Sequence, residues 1–275
     1  MRIARYSVPG EDPAFGVVEL AEDGGERPDT VSTLTGDPLA GPVNLTGERH
    51  RLDDVRLLAP VIPRSKVVGV GRNYAAHAAE LGNEVPGIPL IFLKPNTSVI
   101  GPDDIIVPPV ASAEISYEGE LAVVIGRICR DVPVARAEEV IFGYTVADDL
   151  TLRDLQRTDG QWARAKGFDT GCPLGPWIAT HLSLAEASDL MITTTVAGER
   201  RQHGSTALMV RPIADLIAFI TSFTTLLPGD VILTGTPAGV GTLLPGQEVS
   251  VRIDGIGTLT NTLIPNRTTT GENPQ

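Results

Sequence analysis

Short apolar runs closed by Gly, Pro, Asp or Asn recur along the chain, a pattern that favours strands over long helices. Residues 1–62 alternate such runs (Arg2–Tyr6, Phe15–Leu20) with Gly, Pro and Asp, which predicts a small β-rich N-terminal domain with no catalytic constellation. Val61-Ile62-Pro63-Arg64-Ser65 reads as the connector into a second domain over 63–265. There Lys66–Gly71, Pro89–Pro95, Phe142–Ala147 and Val231–Leu233 read as buried strands, and 249–253 with 258–263 as a closing hairpin. Helical periodicity is confined to short stretches: Ala75–Leu81, stopped by Gly82; Arg136–Val140; a run through Leu152, Arg153, Leu155 and Gln156; and an amphipathic segment over 213–222. Gly171–Trp177, rich in Gly and Pro, reads as a loop, and the polar stretch 266–275 as a flexible tail. The class implied is α+β and β-rich.

The stretch Ser116–Ile125 carries the clearest chemistry. Its second half, Leu121-Ala122-Val123-Val124-Ile125, is a buried-strand run, and two carboxylates stand just before it. If the strand already runs through Glu118, its period of two places Glu118 and Glu120 on one face. Like charges that close repel unless a cation joins them. The pair is therefore either a solvated strand end or two arms of a site for a hard divalent ion, for which oxygen ligands favour Mg²⁺, Mn²⁺ or Ca²⁺ over zinc.

Other candidates are weaker alone. His77 and Glu80 share a helix face, as a base and its orienting carboxylate would, or as a surface pair would. Lys94 ends a strand, where it would snorkel or anchor an anion. Asp149 stands before a helical run, where a carboxylate commonly caps, and Arg153 and Gln156 share one face of that run. Thr234–Gly241 is a glycine-rich loop offering peptide N–H groups and the Thr236 hydroxyl to an anion, or an ordinary tight turn. Gly69-Val70-Gly71 lacks the third glycine of a dinucleotide fingerprint.

Composition narrows the partners. Against 34 acidic residues stand 22 basic ones, a net charge of −12 with no basic run, which argues against nucleic acid and anionic membranes as partners. A small anionic substrate remains compatible where a metal or a few buried cations reverse the local potential. Cys129 and Cys172 have no metal-ligand spacing and read as reduced cytoplasmic thiols. The N-terminus has no apolar core of signal-peptide length, and the longest apolar stretch, around Leu216–Ile220, is too short to span a bilayer. A cytoplasmic protein is expected.

Together the motifs resemble the fumarylacetoacetate hydrolase family in its small two-domain bacterial form. The resemblance runs from about Lys66 to Leu263 through Val-Gly-Arg-Asn-Tyr-Ala-Ala-His (70–77), Phe-Leu-Lys-Pro (92–95) and Tyr-Glu-Gly-Glu-Leu-Ala-Val-Val-Ile-Gly (117–126). It continues through Asp-Asp-Leu-Thr-Leu-Arg-Asp-Leu-Gln (148–156), Ala-Lys-Gly-Phe-Asp-Thr (165–170), Pro-Leu-Gly-Pro-Trp (173–177) and the Pro228–Gly241 block. It implies a mixed β-sandwich roll for the catalytic domain, Mg²⁺ or Mn²⁺ as cofactor, and a homodimer. It further implies Glu118, Glu120 and Asp149 as metal ligands, and Lys166 as the positive group beside metal and substrate. Arg153, Gln156 and Thr236 would bind substrate, His77 with Glu80 would form the dyad of a mobile lid helix, and Lys94 would lie at the pocket edge. Two positions depart from the commoner pattern. Asp148 stands where an uncharged residue is usual and would change metal affinity or face solvent, and Arg211 sits in a segment expected to be apolar.

The chemistry implied is metal-assisted cleavage of a carbon–carbon bond in an acylpyruvate or fumarylpyruvate-type diketo acid, with His77 as base. Decarboxylation of an oxaloacetate-type 2-oxo acid, or isomerisation or dehydration of one, would use the same electron sink. A non-catalytic binding protein on this fold would be expected to have lost a ligand, and all three carboxylates and Lys166 are present. A divalent-metal nuclease conflicts with the acidic balance.

Overall fold

The structure, a computed structural model, describes residues 1–21, 27–109, 112 and 114–265. The expected flexible tail, 266–275, lies outside the described residues. No helix among the described residues is long and apolar enough to cross a membrane.

The strand Gly119–Ile125 is buried at all seven positions because both of its faces are covered. Leu121, Val123 and Ile125 enter one core with Ile192, Val251 and Leu259 and with Leu216, Ile217 and Ile220 of the helix Ile213–Phe223. Ala122 and Val124 enter a second core with Val67, Leu174, Ile178 and Leu233. Each large aliphatic side chain so buried contributes about 1.5–3 kcal/mol. The apolar end of the strand thus anchors the charged residues at its head.

Two sheets stack around the first core. One is twelve-stranded among the described residues and holds Gly119–Ile125 between Ile141–Asp148 and Val231–Leu233. The other has five strands, with 248–253 and 257–263 pairing as the expected hairpin. The N-terminal β domain extends the large sheet, since Arg2 pairs with Ala179 and Ile3 with Ile178. The segment 171–177, read as a loop, instead contributes to the buried strand Cys172–Ala179. Gly175 and Pro176 sit where the ladder with Ile141–Asp148 shifts register, between Val146↔Gly175 and Tyr144↔Ala179, so they interrupt pairing without ending the strand.

A three-stranded sheet of Ile115–Tyr117, Thr151–Leu152 and Gly241–Thr242 creates the site. The chain leaves this small sheet at Tyr117, passes through Glu118 and enters the large sheet at Gly119; Asp149 lies at the matching crossing of the neighbouring strand. The strand therefore does not run through Glu118, and the sheet switch, rather than a period of two, aims its carboxylate. Gly119 is required at the crossing, because a Cβ there would stand 2.4 Å from Thr194 Oγ1.

Candidate active site

One oxygen from each of Glu118, Glu120 and Asp149 lies within 4.8 Å of the others, and all three residues are buried. The Asp149 N–H donates to the Glu118 carbonyl at 2.9 Å, which ties the two sheet crossings together. Asp149 is not a helix cap: the helix starts at Arg153 after Leu152.

Cations surround two of the three carboxylates. Lys166 Nζ donates to Glu118 Oε2 and Asp149 Oδ2, each at 2.6 Å, and Arg153 Nη2 donates to Glu118 Oε1 at 2.5 Å. Burial alone would raise the Glu118 carboxyl, but Lys166 and Arg153 outweigh it and hold it well below the usual carboxylate range. Burial would likewise lower Lys166, yet Asp149 and Glu118 keep it above its ordinary value. Glu120 has a single partner among the described residues, the Gly235 N–H at 2.7 Å. Burial first, then the charges of Asp149 and Glu118, push it well above the usual range. A buried carboxylate beside two others, with no cation of its own, fits a hard divalent ion.

Lys94 does not lie at the pocket edge. Its buried ammonium donates to Asp149 Oδ1 at 2.6 Å from behind, so it orients the carboxylate and does not reach the cavity. Asp148 neither faces solvent nor joins the carboxylate cluster. It is buried, its Oδ1 accepts the Glu118 N–H at 2.7 Å, its Oδ2 has no partner among the described residues, and burial pushes its carboxyl up to about 7. Arg211 ties the segment beyond the helix Ala75–Glu80 in place: Nη2 donates to Gly87 O at 2.7 Å, and the Arg211 N–H donates to Asn73 Oδ1 at 2.8 Å.

His77 and Glu80 do share a face, but the dyad is open. His77 Nδ1 lies 3.7 Å from Glu80 Oε2 and has no hydrogen-bond partner among the described residues, and Nε2 lies 4.0 Å from Glu118 Oε1. Burial lowers the imidazole against the opposing pull of Glu118, which favours the neutral ring a base needs. Thr236 lines the cavity, but its hydroxyl is committed, donating to Gly119 O at 2.8 Å and accepting from Gln202 Nε2 at 2.7 Å. Its peptide N–H has no partner among the described residues, so it is a free donor on the residue of this loop that lines the cavity.

These side chains line a cavity of about 260 Å³, with Arg153 holding Gln156 through Nη1 to Oε1 at 2.8 Å. Phe92 forms one wall: it lies against Gly69, meets Trp162 edge-on at 5.7 Å, and stands 4.9 Å from Lys166 Nζ. The sequence reading assigned no role to Arg72, Phe92, Arg157, Trp162 or Gln202. Arg157 had a signal, since it follows Arg153 by one helical turn. Gln202 had none: it comes from the other sheet and is fully buried.

Comparisons with known proteins identify the family. A family model described as fumarylacetoacetate (FAA) hydrolase C-terminal matches residues 66–264, and one described as Rv2993c-like, N-terminal, matches residues 1–60. The chain is 49% identical to Protein Rv2993c of Mycobacterium tuberculosis, covering 96% of this chain and 98% of that one. Among solved structures, a 5-carboxymethyl-2-hydroxymuconate delta-isomerase from Mycobacterium smegmatis is 48% identical, with a TM-score of 0.86 over 96% of this chain and 99% of that one. A fumarylpyruvate hydrolase from Pseudomonas aeruginosa, solved in complex with Mn²⁺ and pyruvate, is 32% identical, with a TM-score of 0.68 over 75% of this chain and 97% of that one.

Proposed function

Since the chain belongs to the fumarylacetoacetate hydrolase family, we propose that it is a divalent-metal-dependent hydrolase that cleaves a carbon–carbon bond in an acylpyruvate or fumarylpyruvate-type diketo acid. The observation that carries this reading is the convergence of three buried carboxylates and Lys166 in one cavity with a neutral-favoured imidazole at its wall. Glu118, Glu120 and Asp149 would hold Mg²⁺ or Mn²⁺, which would supply Lewis-acid polarisation of a 2-oxo acid. The related hydrolase solved with Mn²⁺ and pyruvate supports both the ion and the head group.

The chain's own groups then have defined tasks. Arg153 and Gln156 orient the anionic head, and Lys166 donates to the oxygen on which charge develops. The Thr236 N–H adds a second donor. His77 takes a proton from water, whose oxygen attacks the distal carbonyl. The bond between that carbonyl and the pyruvyl methylene breaks, its electron pair becomes the pyruvate enolate, and the proton on His77 returns to that carbon. The products are pyruvate and a carboxylic acid, which releases its proton to solvent. A homodimer remains part of this proposal.

A second reading, isomerisation of an unsaturated 2-hydroxy or 2-oxo dicarboxylate, is favoured by the name of the 48% identical mycobacterial protein. His77 would then move a proton between substrate carbons, and no water would add. The deciding assay follows acylpyruvate cleavage, isomerisation and oxaloacetate decarboxylation in parallel with Mg²⁺ or Mn²⁺, for wild type, Glu120→Ala and His77→Ala. Cleavage abolished by Glu120→Ala and lowered by about 10²-fold or more in His77→Ala supports the hydrolase. CO₂ release or isomerisation without cleavage overturns it, and near-normal cleavage by His77→Ala removes the imidazole as base.

A further inference from the structure

Arg72 stands out among the cations of this site because it is unengaged. Arg153 and Lys166 are bound to Glu118, Lys94 to Asp149, and Arg157 to Glu114 at 2.5 Å. Arg72, among the described residues, makes no ion pair and no side-chain hydrogen bond, although it lines the metal-side cavity. It also lines a second cavity of about 590 Å³, which shares Arg72, Phe92 and Trp162 with the first. Arg72 therefore stands at the junction of the two spaces. In a chain of net charge −12, an uncompensated guanidinium there makes the local potential positive.

The backbone supplies an independent observation. Arg72 has φ of +58°, a left-handed conformation that non-glycine residues rarely adopt and that clusters at functional sites. Its neighbour Asn73 sustains it. The Asn73 side chain donates to Thr234 O at 2.8 Å and Arg211 O at 3.1 Å and accepts the Arg211 N–H at 2.8 Å, and its carbonyl accepts the Val210 N–H at 2.8 Å. Four bonds at position 73 fix the chain so that residue 72 departs from the strand Val67–Gly71 at the cavity mouth.

We propose that Arg72 forms a distal subsite that binds a terminal carboxylate of the substrate, so the site selects 2-oxo dicarboxylates over 2-oxo monocarboxylates. This rests on the 2-oxo acid reading above and adds the far end of the substrate to it. The planar guanidinium suits bidentate carboxylate recognition, and the apolar walls of Phe92 and Trp162 suit the carbon chain between the two ends.

The test is calorimetric titration of the full-length, Mn²⁺-loaded protein with 2-oxoadipate and with 2-oxohexanoate, which differ only at the far end. Wild type is expected to bind the diacid about 10- to 100-fold more tightly. Arg72→Gln should erase that preference while changing monoacid affinity by less than about 3-fold, and Arg72→Lys should keep part of it as a point charge without the fork. Arg72→Gly also removes the guanidinium but relieves the left-handed backbone, so its loss of preference cannot be ascribed to misfolding. Equal affinity of wild type for both acids, or equal weakening of both in the Gln and Gly variants, overturns the subsite and leaves the 2-oxo acid reading standing. Absence of metal-dependent binding of either acid, and of oxalate, overturns that reading and the subsite with it.

Discussion

Both oxygens of the Glu80 carboxylate lie 3.1 Å from the peptide nitrogen of Gly239. The helix that carries His77 is thereby latched onto the loop that carries Thr236. Gly239 is fixed from its other side by Tyr117, whose hydroxyl donates to its carbonyl at 3.1 Å, and a Cβ at 239 would stand 2.2 Å from the Arg201 carbonyl oxygen. Glu80 therefore has two roles: it closes the helix over the cavity and stands 3.7 Å from the imidazole it would orient. Glu80→Gln retains an acceptor for Gly239 but loses the charge. It should keep hydrogen-exchange protection over 75–80 at the wild-type level while turnover falls about 10-fold or more. Glu80→Ala should lose both. Wild-type turnover in the Gln variant would leave Glu80 as a latch only.

Gln202 holds the two halves of the site in register. Its Oε1 accepts the Gly119 N–H at 3.0 Å, between the two glutamates, and its Nε2 donates to Thr236 Oγ1 at 2.7 Å and Pro237 O at 2.8 Å. Gln202→Leu preserves bulk but strands a buried N–H and a carbonyl, each costing about 1–3 kcal/mol. Urea unfolding of the metal-free variant should register a loss of that order. Mn²⁺ affinity should fall about 10-fold, as for other groups that orient metal ligands. Lost stability with unchanged Mn²⁺ affinity would confine Gln202 to packing.

Metal should stabilise the fold, because the carboxylate cluster is strained without it. Glu120 faces Asp149 and Glu118 in a buried site where, among the described residues, only the Gly235 N–H satisfies it. Saturating Mn²⁺ at 100 times its Kd should add about 2.7 kcal/mol. Glu120→Gln removes the carboxyl whose ionisation is opposed by burial and by the charges of Asp149 and Glu118. The metal-free variant should therefore unfold at a higher temperature than metal-free wild type, yet gain almost nothing from Mn²⁺. Thermal unfolding with Mn²⁺ and with a chelator checks both halves. A variant that is still stabilised by Mn²⁺ would exclude Glu120 as a ligand.

How far the sequence reveals this site depends on whether each feature is local. The run Leu121–Ile125 predicts a buried strand from its own residues, and the carboxylates before it are evident as a pair. Their aim depends on a switch between sheets set by distant partners, Thr151–Leu152 and Gly241–Thr242, which no local period encodes. Lys94 reads as an exposed strand end because a lysine is seldom buried, and its partner Asp149 is 55 residues away. The strand Cys172–Ala179 is hidden by its prolines and glycines, whose meaning changes once the register shift beside them is known. Arg72 lies within a recognised motif, but its left-handed backbone depends on bonds from Asn73 to Thr234 and Arg211. Fold class and ligand types are thus local information, whereas the orienting contacts are long-range.

Asp230 should govern the acid sensitivity of the protein from beneath the substrate loop. It is fully buried in the turn before Val231–Leu233, the strand that delivers Thr236. Its Oδ1 accepts the Ser65 and Lys66 N–H groups, each at 3.1 Å, and its Oδ2 accepts Lys66 Nζ and the Leu227 N–H, each at 2.9 Å. Burial alone would raise its carboxyl, but these donors outweigh burial and hold it below the usual value. A carboxyl lowered in the folded state stabilises above its unfolded pKa, about 3.9, and that stabilisation is lost as pH falls through the folded value. Wild-type unfolding free energy should therefore drop steeply below about pH 4. Asp230→Asn turns an amide toward donors that require an acceptor, which should cost about 3 kcal/mol near neutrality and flatten the acid limb. Urea titrations between about pH 2 and 6 would show the two curves converging at the acid end. Parallel curves would mean that other carboxylates carry the acid transition and that Asp230 contributes only through its neutral hydrogen bonds.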